Sequence, residues 1–333
     1  MIAAPYLLFL GAEDDRHNIK TASGVARWRP QDCVGQLRMD GCTLDLGLPD
    51  LTPEEAVRQG VRTLVIGVVN FGGVIDPRWE EPLERALVAG LDIAAGLHVR
   101  LNDNDRLSRA ARAHGRTLHD IRQPTTPFPV GSGRKRSGRR LLTVGTDCAV
   151  GKMYASLAIT REMQARGIDA DFRATGQTGI FIAGSGICVD AVVSDFISGA
   201  TEQLSPDAAP DHWDIVEGQG SLFHPAYAGV TLGLVHGSQP DAMVLCHDLG
   251  RTTIDGYPDY PIRPLTDAIE TYLAAARLTN GGARFVGACF NTSSIADEDA
   301  ARAALARAAQ ETGLPCCDPV RTGVAPIVDA LTG

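Results

Sequence analysis

A glycine-framed turn near the middle of the chain holds the residues best suited to chemistry. It follows an apolar strand at 141–144, precedes a helix-forming run, and consists of Gly145, Thr146, Asp147, Cys148, Ala149, Val150, Gly151, Lys152 and Met153. Glycines let backbone amides curl around an anion, and the start of a helix turns its unpaired N–H groups and positive end toward the same point. The lysine adds a mobile ammonium. These residues predict a loop that binds phosphate.

The loop departs from the pattern of nucleotide-hydrolysing loops in two ways. Five residues separate Gly145 from Gly151, where the common pattern has four. Met153 stands where such loops have serine or threonine, and a thioether is a poor ligand for magnesium, which prefers hard oxygen donors. The sequence therefore predicts phosphate binding without metal-dependent phosphoryl transfer, and no metal ligand is assigned. The alternative is a glycine-rich turn that binds nothing.

Composition excludes several classes of function. The chain has 333 residues, 44% of them hydrophobic, so it can bury a large core, and its length favours two domains. Its net charge of −9 argues against nucleic acid as a partner. No apolar run approaches the roughly 18 residues of a membrane span, and no leading segment resembles an export signal, so we expect no membrane partner and a cytoplasmic location. The eight cysteines form no CxxC pair, which argues against zinc and disulfides.

A proline-, glycine- and arginine-rich stretch divides the chain. The predicted organisation is a domain at 1–123, a linker at 124–139 and a second domain at 140–333. We interpret the basic run 131–140 as a solvated linker, with contact to a ligand phosphate as the alternative.

The first domain shows short apolar runs between helical patterns. Runs at 6–10, 63–69, 91–95 and 117–121 alternate with helical patterns at 82–89 and 103–114, which is typical of a small α/β domain with a parallel sheet. A turn at 70–73 follows one strand and could face a ligand or be a plain turn. Lys20, Arg27 and Arg29 are assigned to a polar loop.

The second domain has a longer alternation, typical of a doubly wound α/β sheet. Strands are predicted at 141–144, 169–173, 214–216, 242–246 and 284–290, and helices at 152–165, 190–204, 231–236, 264–277 and 297–312. Ligands of such sheets lie beyond the carboxyl ends of the strands. The polar residues found there are Arg173 and Gln177 after the second strand, Glu217 and His224 after the third, Asp248 and Arg251 after the fourth, and Asn291 after the fifth. Each alone could be a cap, a core residue or a loop contact, but together they predict a site.

These motifs resemble known families. The loop resembles that of dethiobiotin synthetase and its relatives, which also has five residues between the glycines. A closer resemblance, over nearly the whole chain, is to domain-of-unknown-function family 1611. It rests on the loop and on four further motifs, which are Thr175-Gly176-Gln177-Thr178-Gly179, Glu217-Gly218-Gln219-Gly220-Ser221-Leu222, His224-Pro225, and His236-Gly237-Ser238 with Pro240. This resemblance implies a Rossmann-like amino-terminal domain and a P-loop carboxy-terminal domain. The family usually has a hydroxyl residue after the methionine, and Tyr154 stands in that place here, which argues against a helper role for that hydroxyl.

The resemblance also implies an activity, because the family includes the D-glutamate N-acetyltransferase of a D-glutamate catabolic route. We therefore expect acetyl transfer from acetyl-CoA to the amine of D-glutamate or a similar amino acid. Gly145–Met153 would hold the phosphates of the coenzyme and Asn291 the adenine. Because the chemistry occurs at a distant thioester, no metal is required.

Acyl transfer to an amine needs a base, donors that polarise the carbonyl, and groups that fix the acceptor's carboxylates. The candidate bases are, in order, Glu217, His224 and Asp248, and the candidate substrate contacts are Arg173, Gln177 and Arg251. Cys148 could accept an acetyl group, but no base is identifiable beside it in the sequence.

Two other classes of function stay open. One is an ATP-dependent ligase or kinase of the dethiobiotin synthetase type, acting on a small carboxylate or amine with magnesium held by Asp147 and Glu217. The other is a nucleotide sensor without turnover. Self-association into a homo-oligomer is expected from the size and class of the protein alone.

Overall fold

The computed structural model describes residues 2–69, 73–124 and 127–333. The chain forms two compact units, the first comprising Met1–Thr125 with Gly176–Ala191 and the second Thr126–Thr175 with Val192–Gly333. This division differs from the contiguous domains and linker that the sequence predicts, because 176–191 belongs to the first unit. Residues 70–72 of the predicted turn at 70–73 lie outside the described residues.

The first unit is a parallel sheet with the strand order β2-β1-β3-β4-β5. Its strands are β1 Tyr6–Gly11, β2 Cys33–Arg38, β3 Thr63–Ile66, β4 Asp92–Ala95 and β5 Leu118–Asp120. Its helices are α1 Lys20–Trp28, α2 Pro53–Arg58, α3 Glu80–Ala89 and α4 Asp105–Ala113, with α6 Gln177–Ala183 from later in the chain. The predicted α/β class is confirmed for this unit.

Strand β1 explains why this sheet is covered on both faces. Its side chains alternate between two apolar clusters, with Leu7 and Phe9 in one and Tyr6, Leu8 and Leu10 in the other. Successive side chains of a strand point to opposite faces, and a continuous apolar run is therefore typical of a parallel strand buried on both sides.

Helix α6 packs in the first unit because its apolar residues are buried there. Phe181 joins the same cluster as Tyr6 and Leu8. Thr178 Oγ1 lies 2.9 Å from Thr21 Oγ1, and Arg29 Nη1 donates to Phe181 O at 3.2 Å.

The prediction that Lys20, Arg27 and Arg29 lie in a polar loop is wrong for the first two residues. Both are in α1, whose buried face includes Ala22, Val25 and Trp28 at helical spacing. Arg29 follows the helix and forms an ion pair with Asp32. The helix was not recognised in the sequence because its apolar positions are few and charged residues surround them.

The second unit is a six-stranded parallel sheet with the order β13-β12-β9-β6-β8-β7. Its strands are β6 Arg139–Gly145, β7 Ala170–Arg173, β8 Trp213–Val216, β9 Ala242–Asp248, β12 Arg284–Asn291 and β13 Cys316–Cys317, and a hairpin consists of β10 Thr253–Ile254 and β11 Tyr257–Pro261. Its helices are α5 Lys152–Ala165, α7 Ile197–Leu204, α8 Ala228–Ser238, α9 Leu265–Ala276, α10 Glu298–Thr312 and α11 Ala325–Thr332. Every strand predicted in this half is present. In the described part of the chain, no helix is both long and apolar enough to cross a bilayer.

The basic run 131–140 is only in part a solvated linker, because 132–135 are exposed while Arg136 and Arg140 are buried. Arg136 is buried and donates to Ser205 O at 2.8 Å and to Gly237 O at 2.7 Å, at the carboxyl ends of α7 and α8. A cation there complements the negative ends of two helix dipoles. Burial lowers the pKa of Arg136 to about 10. Arg140 is fully buried within β6, so this part of the run belongs to the core of the second unit.

His212 provides a pH-dependent contact at the start of β8. Its ring nitrogens lie 2.9 Å from Asp169 Oδ2 and 3.3 Å from Asp214 Oδ1. Burial lowers the pKa of His212, but the hydrogen bond with Asp169 and the charge of Asp214 outweigh it and raise the pKa overall. A raised pKa in the folded state stabilises the protein below the unfolded-state pKa of about 6.5, and this contribution disappears as the pH rises through the folded-state value.

We predict that the unfolding temperature of the wild-type protein relative to that of His212→Gln decreases between about pH 6 and about pH 8, because the contribution of His212 disappears over this range. Thermal unfolding of both proteins followed by circular dichroism at both pH values measures the difference. The same change with pH in the two proteins would show that His212 makes no pH-dependent contribution.

Candidate functional site

The loop between β6 and α5 is tightly constrained. Ala149 and Gly151 both have positive φ, 53° and 98°, a region that costs energy for a residue with a side chain such as Ala149. A Cβ added to Gly145 would lie 2.8 Å from Val150 Cγ2 and 3.0 Å from Asp147 O, so this position requires glycine. The loop therefore has the close backbone approach that the sequence predicts for an anion-binding turn.

Asp147 fixes the loop from inside. Its carboxylate is 0% exposed and accepts hydrogen bonds from Cys148 N at 2.7 Å, Arg251 Nη1 at 2.7 Å and Asp255 N at 2.8 Å. A buried charge is tolerated when it is paired and its remaining oxygen positions accept hydrogen bonds. Arg251 also donates to Cys148 O at 2.8 Å. The segment after β9 thus holds the loop in place.

Lys152 begins α5 and reaches into the loop. Its side chain is buried, and Nζ donates to Asp147 O at 2.7 Å. Burial lowers the pKa of Lys152, and the nearby Cys148, Cys246, Asp147 and Glu217 act in the opposite direction. A bound anion would favour the charged lysine further, because an opposite charge at short range stabilises the ammonium.

Tyr272 and Thr143 support the loop and were not identified from the sequence. The hydroxyl of Tyr272, on α9, donates to Gly145 O at 2.8 Å and accepts from Leu222 N at 3.1 Å, and burial raises the pKa of Tyr272 to about 12. Thr143 Oγ1 accepts from Gly218 N at 3.0 Å. The sequence gave an indication of Thr143, because a threonine inside an apolar strand is unusual. It gave none of Tyr272, which is far from the loop in the chain.

Glu217 and His224 lie on the β8 side of the loop. Glu217 is buried, and its Oε2 accepts from Thr175 N at 2.8 Å. His224 is also buried, and its Nδ1 accepts from Ala226 N at 3.1 Å. This bond assigns the proton of the neutral ring to Nε2, so that Nε2 is a donor.

His224 also lies close to the loop. A carboxylate oxygen of Asp147, the Cys148 Sγ and a ring nitrogen of His224 all lie within 4.8 Å of one another. The sequence placed no base beside Cys148, and the fold places this histidine there. Burial raises the pKa of the Cys148 thiol, with Lys152 acting against this, so the thiol is not activated.

Oxygen, sulfur and nitrogen donors at this spacing could bind a zinc-like cation. However, the carboxylate of Asp147 is already paired with the Arg251 cation, which argues against a second positive charge there.

Asp248 and Asn291 lie on the opposite side, at the ends of the adjacent strands β9 and β12. The two residues are paired in register, and Asn291 Nδ2 donates to Asp248 Oδ2 at 2.8 Å. Asp248 Oδ1 accepts from Gly250 N at 2.8 Å. They form a polar edge beside the loop.

The predicted carboxylate-binding residues have other partners. Arg251 pairs with Asp147, and Arg173 pairs with the buried Asp214 at 2.5 Å. Gln177 belongs to the first unit, where a Cβ on Gly96 would lie 2.0 Å from its Oε1. The second unit therefore gathers the loop, Glu217, His224, Asp248, Asn291 and Arg251 at the carboxyl edge of its sheet, with Arg173 at the end of β7.

Comparison with known proteins places the whole chain in context. A family model described as Domain of unknown function (DUF1611_C) P-loop domain matches residues 129–328. A second, Domain of unknown function (DUF1611_N) Rossmann-like domain, matches residues 37–124. Both predicted domain types are thus confirmed.

Similar proteins match over nearly their full lengths. Two curated relatives named D-glutamate N-acetyltransferase, from Tritonibacter scottomollicae and a Pseudoalteromonas species, are each 50% identical over 99% and 98% of both chains respectively. The crystal structure of a DUF1611 family protein from Anabaena variabilis is 34% identical, covers 99% of both chains and has a TM-score of 0.89.

We predict that Tyr272→Phe lowers the free energy of unfolding by about 1–3 kcal/mol, because Gly145 O and Leu222 N lose their partner. It should also weaken, several-fold, the coenzyme A binding that the sequence predicts, measured by calorimetry. Tyr6→Phe, which removes a buried hydroxyl in the first unit, is the matched control and should leave this affinity unchanged. Equal effects of both variants on this affinity would show that Tyr272 has no specific role in binding.

Proposed function

The chain belongs to the DUF1611 family and is an acyltransferase, and we propose that it moves an acetyl group from acetyl-CoA to the amine of D-glutamate. Two full-length relatives at 50% identity that are named for this reaction support the proposal. A role in D-amino acid catabolism, a cytoplasmic location and self-association remain predictions.

The observation that carries the choice of donor is the structure of the loop Gly145–Met153, which we call the cradle. Hydrogen bonds from neighbouring segments hold this loop in place, and it lacks the hydroxyl that would bind magnesium. Lys152 is buried at the start of α5, and Met153 follows it. Coenzyme A presents a pyrophosphate and a 3′-phosphate, while its reacting thioester needs no metal. We therefore assign Gly145–Met153 to its phosphates, and the paired edge of Asn291 and Asp248 to its adenine.

The contacts of the cradle argue against the alternative of an ATP-dependent ligase or kinase. That reaction would need Asp147 as a magnesium ligand, but the carboxylate is already paired with Arg251. Breaking this pair would leave Arg251 with its longer contact to Asp255, at 3.9 Å, which is unfavourable. Acyl transfer leaves the pair intact and is the better fit.

The reaction itself requires one proton to move. The neutral amine nitrogen attacks the thioester carbonyl carbon, the C–S bond breaks, and the proton lost by the amine passes through a base to the leaving thiolate. We propose Glu217 as that base. His224, with its proton on Nε2, is suited to polarise the carbonyl oxygen.

The other predicted roles are less favoured by the contacts. Asp248 is engaged through both oxygens by Asn291 and Gly250. For Arg173 and Arg251 to bind the acceptor's carboxylates, each would have to exchange an aspartate partner for the substrate. These residues and Gln177 stay predicted substrate contacts.

We predict that incubation with acetyl-CoA and D-glutamate yields free coenzyme A and a product heavier by one acetyl group, detected by mass spectrometry. L-Glutamate in place of the D isomer tests the assignment of chirality. Incubation with magnesium, ATP and the same acceptor should yield no ADP. ADP formation without any acetylated product would favour the ligase or kinase instead.

We predict that Glu217→Gln lowers kcat by roughly 10²- to 10⁴-fold while KM for acetyl-CoA changes little. The glutamine oxygen can still accept from Thr175 N, so the local fold should persist. Glu202→Gln is the matched control, because Glu202 accepts backbone bonds from Ser132 and Gly133 and lies outside the proposed machinery. An unchanged kcat in Glu217→Gln would exclude this residue as the base.

A further inference from the structure

Four rings form a continuous aromatic surface beside the phosphate cradle. His224 stacks on Tyr227 with ring centroids 4.5 Å apart, meets Tyr257 edge-on at 5.2 Å, and Tyr257 meets Tyr260 at 5.9 Å. Tyr227 is 54% exposed and Tyr260 is 51% exposed. We call these four residues the aromatic surface. Large rings left half-exposed next to a candidate site indicate a ligand contact.

The loop holds this surface in place. Tyr257 begins β11, and the turn before it contains Asp255, whose N–H donates to the buried Asp147. The same segment lines a shallow cleft of about 310 Å³. Because Asp147 lies inside the loop, this hydrogen bond connects the hairpin of the aromatic surface directly to the loop.

The sheet order gives the cradle two distinct sides. Strand β6, which leads into the loop, lies between β9 and β8. The paired Asn291 and Asp248 stand on the β9 side. Glu217 and His224 follow β8, whereas Tyr257 and Tyr260 of the aromatic surface belong to the hairpin after β9. A ligand held by its central phosphates can therefore extend one end over these rings and the other end toward Asn291 at the end of β12.

We propose that the acyl arm of the carrier leaves the cradle over the aromatic surface, while the adenosine end leaves toward Asn291 and Asp248. The inference rests on the proposed function and adds the orientation of the donor. The arm between the pyrophosphate and the sulfur carries two methyl groups and two amides. Ring faces suit the methyl groups, and tyrosine hydroxyls can exchange hydrogen bonds with the amides.

The opposite orientation fits less well. Adenine needs a donor and an acceptor at its edge, and the amide and carboxylate of Asn291 and Asp248 supply both. Extended, the arm is as long as about four peptide residues, roughly 14 Å, so the contacts along it decide where the thioester arrives. Of the proposed groups for acetyl transfer, His224 belongs to the aromatic surface and lies close to the loop, so the arm must fold back along the rings for the thioester to reach His224 and Glu217.

Calorimetry with three probes tests this orientation. The probes are acetyl-CoA, acetyl-phosphopantetheine, which lacks the adenosine bisphosphate, and adenosine 3′,5′-bisphosphate, which lacks the arm. Tyr257→Ala should weaken both acetylated probes by about 10-fold, as expected for loss of apolar contact to the arm, and leave the bisphosphate unchanged. Asn291→Ala should weaken acetyl-CoA and the bisphosphate but not acetyl-phosphopantetheine.

Tyr227→Ala repeats the test at an exposed ring, where the substitution should not disturb the fold, and it should follow the pattern of Tyr257→Ala. If the tyrosine variants weaken acetyl-CoA and the bisphosphate but not acetyl-phosphopantetheine, the orientation is reversed. If they alter no probe while the wild-type protein binds acetyl-CoA, the aromatic surface has no part in donor binding. Failure of the wild-type protein to bind acetyl-CoA at all would overturn the proposed function itself.

Discussion

The buried carboxylate of Asp147 is the constraint on which the rest of the site depends. A charge removed from water must be compensated, and here Arg251 and two backbone amides, those of Cys148 and Asp255, do so. These bonds fix the loop from within and bind it to the hairpin that carries Tyr257. The shape of the cradle, the engagement of Arg251 and the position of the aromatic surface are therefore one linked arrangement.

The loop so formed is suited to holding phosphate groups without cleaving them. Lys152 and the start of α5 provide positive charge and N–H donors, while Met153 offers no oxygen for magnesium. Tyr272 and Thr143 connect the loop to the segment after β8. In the proposed reaction the chemistry would occur at the far end of the donor, and a firm hold on its phosphates would position the reacting group there.

Much of the second unit could be predicted because each of its main strands is an apolar run flanked by glycine or polar residues. The elements that were missed are short or depend on packing. Strand β13 has two residues, and the hairpin β10–β11 is largely exposed. Helix α6 was missed because it follows strands of the second unit in the sequence, whereas its apolar residues are buried in the first unit. Arg136 appeared to be a linker residue because helix ends that lie far away in the chain give no local signal.

The sequence by itself determined the loop, its lysine, the missing hydroxyl after it and the polar residues at the strand ends. These follow from residue type and spacing, which local backbone geometry translates directly into structure. Only the tertiary structure decided which of those side chains are already engaged: Arg251 with Asp147, Arg173 with Asp214, and Asn291 with Asp248. It also brought His224 beside Cys148. Hydrogen bonds and ion pairs between distant segments depend on how the strands are ordered in the sheet, and no short stretch of sequence encodes that order.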